Sequence, residues 1–286
     1  MERLIVNFAP TGMLMRKKDT PFVPVTAEEI VEDVRKACSI GISCVHLHPR
    51  DPRTEDPIWE RRYFEEIILG IREFAPELVI SVTTSGRLYN EFEKRSDVLY
   101  LDGMAKPDMA SLTLSSLNFN KTASINAPDM IRRLAEKMKE RGILPELEVF
   151  DAGMINYAKY LIKKDLICPP YYFNLIMGNI ACAQADLLHA GVLLNDLPDD
   201  SIPVMGGIGN AQLRMNALAI SMGYGVRVGL EDNIWYDDER TTLATNEAYL
   251  KRIHTISGAM GRPVCTGKEL REILHLRPGN GEYGVS

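Results

Sequence analysis

The sequence predicts a (β/α)8 barrel, a TIM barrel occupying residues 1–286 as a single domain with a short C-terminal helical tail, and three observations carry that prediction. Short apolar runs alternate with longer amphipathic segments along most of the chain, the pattern of parallel strands joined by right-handed crossovers. Eight such runs fit into 286 residues, close to the roughly 250 residues of a typical closed barrel. The first strand is followed by "APTGMLM" rather than the GxGxxG turn that an open dinucleotide-binding sheet would need.

The elements follow in order. "LIVNFA" (4–9) reads as a buried strand. The helix "TAEEIVEDVRKACSIG" comes next, with Thr26 as N-cap and Glu29 completing a capping box. Within it Ile30, Val31, Val34, Ala37 and Cys38 recur at helical spacing, and Gly41 stops it. Strands are then expected at 43–48, 78–84, 109–114, 144–150, 171–177, 201–207 and 224–231. Helices are expected in "WERRYFEEIILGIREFA", in "PDMIRRLAEKMKERG" between Pro128 and Gly142, and in "GMINYAKYLIKK". Three more are expected in "ACAQADLLHAGVLL", "NAQLRMNALAISMG" and "TTLATNEAYLKRIHTISGAMG", and no helix is assigned between the third and fourth strands. The tail "GRPVCTGKELREILHLRPGNGEYGVS" suggests a last short helix lying on the barrel or on a neighbouring subunit.

Composition narrows the function. Hydrophobic residues make up 45% of the chain and the formal net charge is −6, with no basic block. Nucleic-acid binding through a clustered positive surface is therefore not expected. The cysteines, Cys38, Cys44, Cys168, Cys182 and Cys265, are odd in number and lack CxxC spacing, which suits reduced thiols in a cytoplasmic protein. The N-terminus "MERLIVNFAPTG" does not read as a secretion signal, and no apolar run reaches the roughly 18 residues of a membrane span.

In such a barrel the chemistry belongs at the C-terminal strand ends. His46 and His48 end the second strand, and alternation points both the same way. They could be barrel-interior histidines satisfied by neighbours, or two ligands of one cation. The eighth strand, "RVGLEDN", supplies what the second case lacks: Arg227 and Gly229 share a phase, and Glu231, Asp232 and Asn233 lie at the mouth. Two imidazoles and a carboxylate with open positions suit zinc, and iron(II) accepts the same ligand types. Thr83, Thr84, Ser85 and Gly86 offer hydroxyls and backbone at the third strand end, Ser111 and Thr113 lie on the fourth strand, and Glu146 and Glu148 on the fifth. After the seventh strand, "GGIGN" (206–210) opens a helix whose amides could hold an anion or admit a cofactor. His189, His254 and His275 fall on helical segments and read as structural or exposed.

The motifs "TG" after strand one, "VHLHPRD", "TTSG", "KPDMASL…LNF", "PELEVFDAGM", "GGIG" and "RVGLEDNIWY" resemble, in order, those of the β-keto acid cleavage enzymes. The resemblance runs from about residue 4 to the C-terminal "GRPVCTGKELREILHL". It implies a barrel, usually a homotetramer, with zinc on His46, His48 and Glu231. It also implies an acyltransferase reaction in which a β-keto acid and acetyl-CoA give acetoacetate and a new acyl-CoA. By the same resemblance Asp232, tuned by Arg227, takes the proton beside the carbonyl, while Thr83 helps orient the substrate carboxylate. Gly86 and Ser111 match substrate-contacting positions, and Thr113 joins them as a substrate-binding candidate.

Two positions depart from the 3-keto-5-aminohexanoate cleavage enzyme of that family. Thr83 stands where it has serine, which retains the hydroxyl. Leu14 stands where it has a glutamate that pairs with the substrate ammonium. An ammonium facing Leu14 would lose both partner and water, at a cost of several kcal/mol. An apolar or uncharged β-keto acid is thus expected, or a distal carboxylate read by Arg16 or Arg87. The competing readings are a metal-dependent aldolase or hydrolase without coenzyme A, and a non-catalytic metal- or ligand-binding barrel.

Overall fold

The computed structural model describes residues 3–285. Eight parallel strands close into a barrel: β1 (Val6–Phe8), β2 (Cys44–Leu47), β3 (Val79–Val82), β4 (Met109–Thr113), β7 (Leu144–Val149), β8 (Tyr171–Met177), β9 (Ser201–Gly207) and β10 (Gly225–Val228). The strand order β1-β10-β9-β8-β7-β4-β3-β2 closes because β1 pairs with both β2 and β10. The missing pair, β5 (Leu117–Asn118) and β6 (Ala123–Ser124), is a small antiparallel hairpin after β4. Helices α1 (Ala27–Ile40), α2 (Arg61–Arg72), α3 (Phe92–Ser96), α4 (Pro128–Arg141), α5 (Ala152–Lys163), α6 (Leu187–Asp196) and α7 (Ala211–Met222) occupy the crossovers, and α8 (Asn246–Ala259) and α9 (Gly267–Ile273) follow the last strand.

Strand alternation separates the side chains into two populations. Outward residues such as Val45, Leu47, Ile80, Val82, Leu147 and Val149 join the helices in the larger core. Inward residues form a second core at the strands' N-terminal ends, where Ile5, Cys44, Val79, Met109, Leu144 and Tyr172 meet Leu270 of α9 and Leu274 just past its end. The C-terminal helix therefore plugs the floor of the barrel. It is fastened by Asp108, which lies 2.7 Å from both Arg72 Nη2 and Arg271 Nη2, all three residues being buried. Above the apolar floor the inward positions turn polar, with Asn7, His46, Ser81, Glu146, Asn174 and Arg227 all buried.

Local signals work as expected at several ends. Thr26 and Glu29 form the capping box of α1, and α4 runs from Pro128 to a left-handed Gly142. The helix expected from Ala181 begins instead at Leu187, because Asp186 caps it by accepting from the backbone of His189. Residues before it are tied to strand ends, with Ala183 N donating to Phe150 O and Gly178 N to Ala183 O. The last strand ends at Val228 rather than 231, where Gly229 brings its backbone against Ala9. A Cβ at Gly229 would lie 2.0 Å from Ala9 O, so only glycine allows that approach. Among the described residues no helix is long and apolar enough to cross a membrane, and the five cysteines are free thiols.

Candidate active site

The two histidines and the carboxylate expected to meet do meet. Ligand-capable atoms of His46, His48 and Glu231 all lie within 4.8 Å of one another, inside the barrel mouth. Nε2 of His46 is 3.1 Å from Nε2 of His48, and the latter is 3.2 Å from Glu231 Oε1. Two imidazole nitrogens turned on each other, with a buried Glu231 Oε2 that has no hydrogen-bond partner, form a donor set in search of a cation. The residues present thus fit a divalent metal with nitrogen and carboxylate ligands.

The tautomer is prepared from behind. Glu146 Oε2 lies 2.7 Å from His46 Nδ1, placed to accept a proton from Nδ1, the arrangement that would leave the Nε2 lone pair for a metal once one is bound. Glu146 is itself immobilised. Its Oε1 accepts from Asn7 Nδ2 at 2.7 Å and Asn174 Nδ2 at 3.0 Å, and Oε2 accepts from Ser81 Oγ at 2.5 Å. Burial opposes the charge on Glu146, yet the adjacent His46 ring overrides it and holds the carboxyl below its ordinary range. The same contact keeps His46 above the usual histidine value despite burial, whereas burial pushes His48 down to about 4 against the pull of Glu231.

Arg227 divides its fork between two neighbouring acids. Its Nη2 is 2.7 Å from Glu231 Oε1, and its Nε donates to Asp232 Oδ2 at 2.9 Å. Glu231 stays well below the ordinary carboxylate range, since Arg227 and His48 outweigh its burial. Asp232 moves the other way: burial raises it, and the charge of Glu231 adds to that against Arg227. Adjacent carboxylates with pKa values driven apart suit a ligand and a proton acceptor. The loop facing them is equally constrained. Gly12 has φ of 65°, and a Cβ there would strike Glu231 Cγ at 2.5 Å. Arg50, the arginine of "HPR", donates to Gly12 O at 2.7 Å and Met15 O at 3.1 Å and pins that loop.

His48, Arg227, Glu231 and Asp232 open on a cavity of about 140 Å3 that also includes Leu14, Thr83, Arg87, Thr113 and Glu148. Thr83 Oγ1 accepts from Ser85 N, which leaves its proton for a ligand, and Thr113 Oγ1 donates to Glu148 Oε2 at 2.6 Å. Gly86 and Ser111 do not line this cavity. Ser111 Oγ accepts from Thr84 N at 3.1 Å. A Cβ on Gly86 would sit 2.3 Å from Ile125 O, so its lack of a side chain lets the β5–β6 hairpin close on the loop. Two amides of "GGIGN" are engaged within the fold: Ile208 N donates to Met177 O, and Gly209 N donates to Asp232 O and so helps position Asp232. Arg16 is engaged with Asp56 and Thr54 O outside the cavity. His189 pairs with Asp186, His254 faces Gly41 O, and His275 is exposed.

Sequence reasoning left Glu146, Arg50 and the hairpin without roles. Glu146 stands on the same strand phase as Glu148, the one available hint that both face inward.

The model of the family described as "beta-keto acid cleavage enzyme" matches residues 3–276. The chain belongs to the β-keto acid cleavage enzyme family. Within that family's reach, a 3-oxoadipate:acetyl-CoA acetyltransferase of Cupriavidus necator is 35% identical over 275 residues, 95% of this chain and 94% of the relative. A 3-keto-5-aminohexanoate cleavage enzyme of Acetoanaerobium sticklandii is 34% identical over 280 residues, 96% of this chain and 99% of the relative. Among solved structures, ObcA in ternary complex with a C4-CoA adduct and oxalate superposes with a TM-score of 0.75 at 19% identity. It covers 90% of this chain and 68% of its own, a likeness of fold.

Proposed function

We propose that this member of the β-keto acid cleavage enzymes is a zinc-dependent acyltransferase that converts a β-keto acid and acetyl-CoA into acetoacetate and a new acyl-CoA. The observation that carries the reading is the Asp232–Arg227 pair set directly beside the His46, His48 and Glu231 donors, with Asp232, Arg227, His48 and Glu231 lining one cavity. His46, His48 and Glu231 would hold the metal, which supplies Lewis acidity toward the keto acid's oxygens when bound.

Asp232 is the base. Its Oδ2, oriented by Arg227 Nε, takes a proton from the methylene between the carboxylate and the keto group. Burial that raises its proton affinity makes it a better acceptor than an ordinary aspartate. The resulting carbanion attacks the acetyl thioester carbonyl, forming a carbon–carbon bond and releasing the coenzyme A thiolate. That thiolate adds to the original keto carbon, and the bond between that carbon and its neighbour bearing the carboxylate breaks. One product is the new acyl-CoA. The other carbanion recovers its proton from Asp232 and leaves as acetoacetate, so atoms and charges balance. Arg227 steadies Asp232 and Glu231 throughout, and the Thr83 hydroxyl orients the substrate carboxylate.

Leu14 on the cavity wall argues against an aminated substrate such as 5-amino-3-oxohexanoate. The homotetramer implied by the resemblance has an apolar face to use, since Leu187, Leu188 and Val192 on α6 are exposed. The test is a panel of β-keto acids with acetyl-CoA, scored for acetoacetate before and after chelation and after zinc is restored. Turnover that needs the metal but not acetyl-CoA would point to the aldolase or hydrolase reading. No turnover with metal bound would overturn the proposal.

A further inference from the structure

The arginines of this molecule differ in one respect that bears on the substrate. The buried ones, Arg50, Arg72, Arg95, Arg227, Arg262 and Arg271, direct their N–H groups to carboxylates or backbone carbonyls. Arg87 lines the active-site cavity, yet among the described residues its guanidinium pairs with no carboxylate and no carbonyl. It lies flat on an aromatic ring instead, 3.6 Å above the centroid of Phe119.

That posture is built. Phe119 meets Phe150 edge-on at 5.8 Å, and both rings line the cavity. The β5–β6 hairpin that carries Phe119 is clamped to the loop by Ile125 N donating to Gly86 O at 3.2 Å. Arg87 N in turn donates to Ser85 Oγ at 3.3 Å. A stacked guanidinium has little rotamer freedom left to lose and keeps its planar fork of donors open. The acids whose charge reaches it are Glu231, Glu148 and Asp232; Glu231 and Asp232 are already paired with Arg227, and Glu148 is bonded to Thr113 while burial drives it toward the neutral form.

We infer that Arg87 is the specificity-determining residue for a second, distal carboxylate, so that the β-keto acid taken by this site is a dicarboxylate. This rests on the cleavage reading above for which end of the substrate sits where. The β-keto acid unit must lie at Asp232 and the His46–His48–Glu231 donors, none of which Arg87 touches. The part of the substrate that reaches Arg87 is then the chain beyond the keto group, running past Leu117, Phe119 and Phe150. A planar carboxylate there matches the guanidinium fork bidentately. Leu14, also on the wall, offers nothing to a cationic end. The new acyl-CoA consequently carries the distal carboxylate and is the half-thioester of a dicarboxylic acid.

The experiment compares 3-oxoadipate with its distal primary amide, equal in size and uncharged, using the full-length zinc-loaded protein with acetyl-CoA. Turnover and calorimetric binding are both read, for wild type, Arg87→Met and Arg87→Lys. The wild-type enzyme is expected to prefer the dicarboxylate by roughly 10- to 100-fold in kcat/KM, the range for one charge-assisted pair. Arg87→Met should bring that ratio to about 1, and Arg87→Lys should leave it in between. A wild-type ratio near 1, or one that Arg87→Met does not change, overturns the inference. An unchanged ratio with both substrates equally impaired would mean that Arg87 reads the common carboxylate, and one with a raised KM for acetyl-CoA would mean a coenzyme A phosphate. If nothing is turned over but the binding preference remains and depends on Arg87, the inference stands and the cleavage reading falls.

Discussion

Glu146 holds His46 from behind: its Oε2 sits 2.7 Å from Nδ1 of a ring whose Nε2 faces His48 at 3.1 Å. One carboxylate thereby decides which nitrogen of a candidate ligand is available. Outer carboxylates of this kind commonly change metal affinity by about 10- to 100-fold when altered. Glu146→Gln keeps the volume and removes the charge, so zinc affinity measured by chelator competition should fall within that range. Far-UV circular dichroism should be unchanged. Undiminished zinc affinity would show that Glu146 serves the barrel and not the site.

Asp232 and Glu231 share Arg227 but should separate cleanly on mutation. Asp232→Asn removes the proton acceptor and leaves all three metal donors, so turnover should drop by roughly 10²- to 10⁴-fold with zinc retained. Glu231→Gln should instead lose zinc along with activity. Metal analysis alongside steady-state rates distinguishes the two. Full turnover by Asp232→Asn with metal bound would rule it out as the base.

Leu14 lines the cavity yet is 53% exposed, so a glutamate there can be hydrated when the site is empty. Leu14→Glu should raise kcat/KM for 5-amino-3-oxohexanoate by about tenfold or more, the worth of one charge-assisted contact. Its melting temperature should stay close to that of the parent, as surface changes usually cost within about 0.5 kcal/mol. No gain on the aminated substrate would remove Leu14 from the specificity argument.

Asp33 links folding to pH away from the site. On α1 it accepts from Asn246 Nδ2 of α8 at 2.6 Å, and burial pushes its carboxyl up from 3.8 to about 6, with that hydrogen bond opposing. The native state therefore holds the proton more tightly than the unfolded chain, and the contribution to stability is lost as pH rises between those two values. Above about pH 6 the penalty is complete. Asp33→Asn keeps an acceptor for Asn246 and cannot ionise. It should be more stable than the parent at pH 7.5 by on the order of 1 kcal/mol, with the gap closing near pH 4. Denaturant melts at both pH values test this, and a gap independent of pH would contradict it.

The barrel was legible because its evidence is local. The strands at 171–177 and 201–207 appear with the expected bounds, since apolar runs bounded by turns need no distant partner to be recognised. The third crossover was not legible: α3 has only 5 residues and continues into short 3-10 turns, too brief for a helical period to register. The β5–β6 hairpin has two residues per strand and hydrophobic spacing cannot announce it. Yet it carries the ring that holds Arg87. "GGIGN" could be read only in part for a related reason, because whether an amide such as Gly209 N is free depends on what the fold brings to it.

The amino-acid order alone determined which residue types would stand at the barrel mouth, because alternation along each strand sets their facing. It put His46 and His48 on one phase and Arg227 two residues from Gly229. Only the closed barrel decided what each acid does there. Glu146, Glu231 and Asp232 carry the same functional group, and they differ in what surrounds them: His46 one hundred positions away for the first, two histidines and Arg227 for the second, Arg227 and the charge of Glu231 for the third. Burial magnifies those contacts by removing the water that would otherwise level them, so chemically equal carboxylates are fitted to three different tasks, which the proposed reaction uses as a positioning group, a metal ligand and a base.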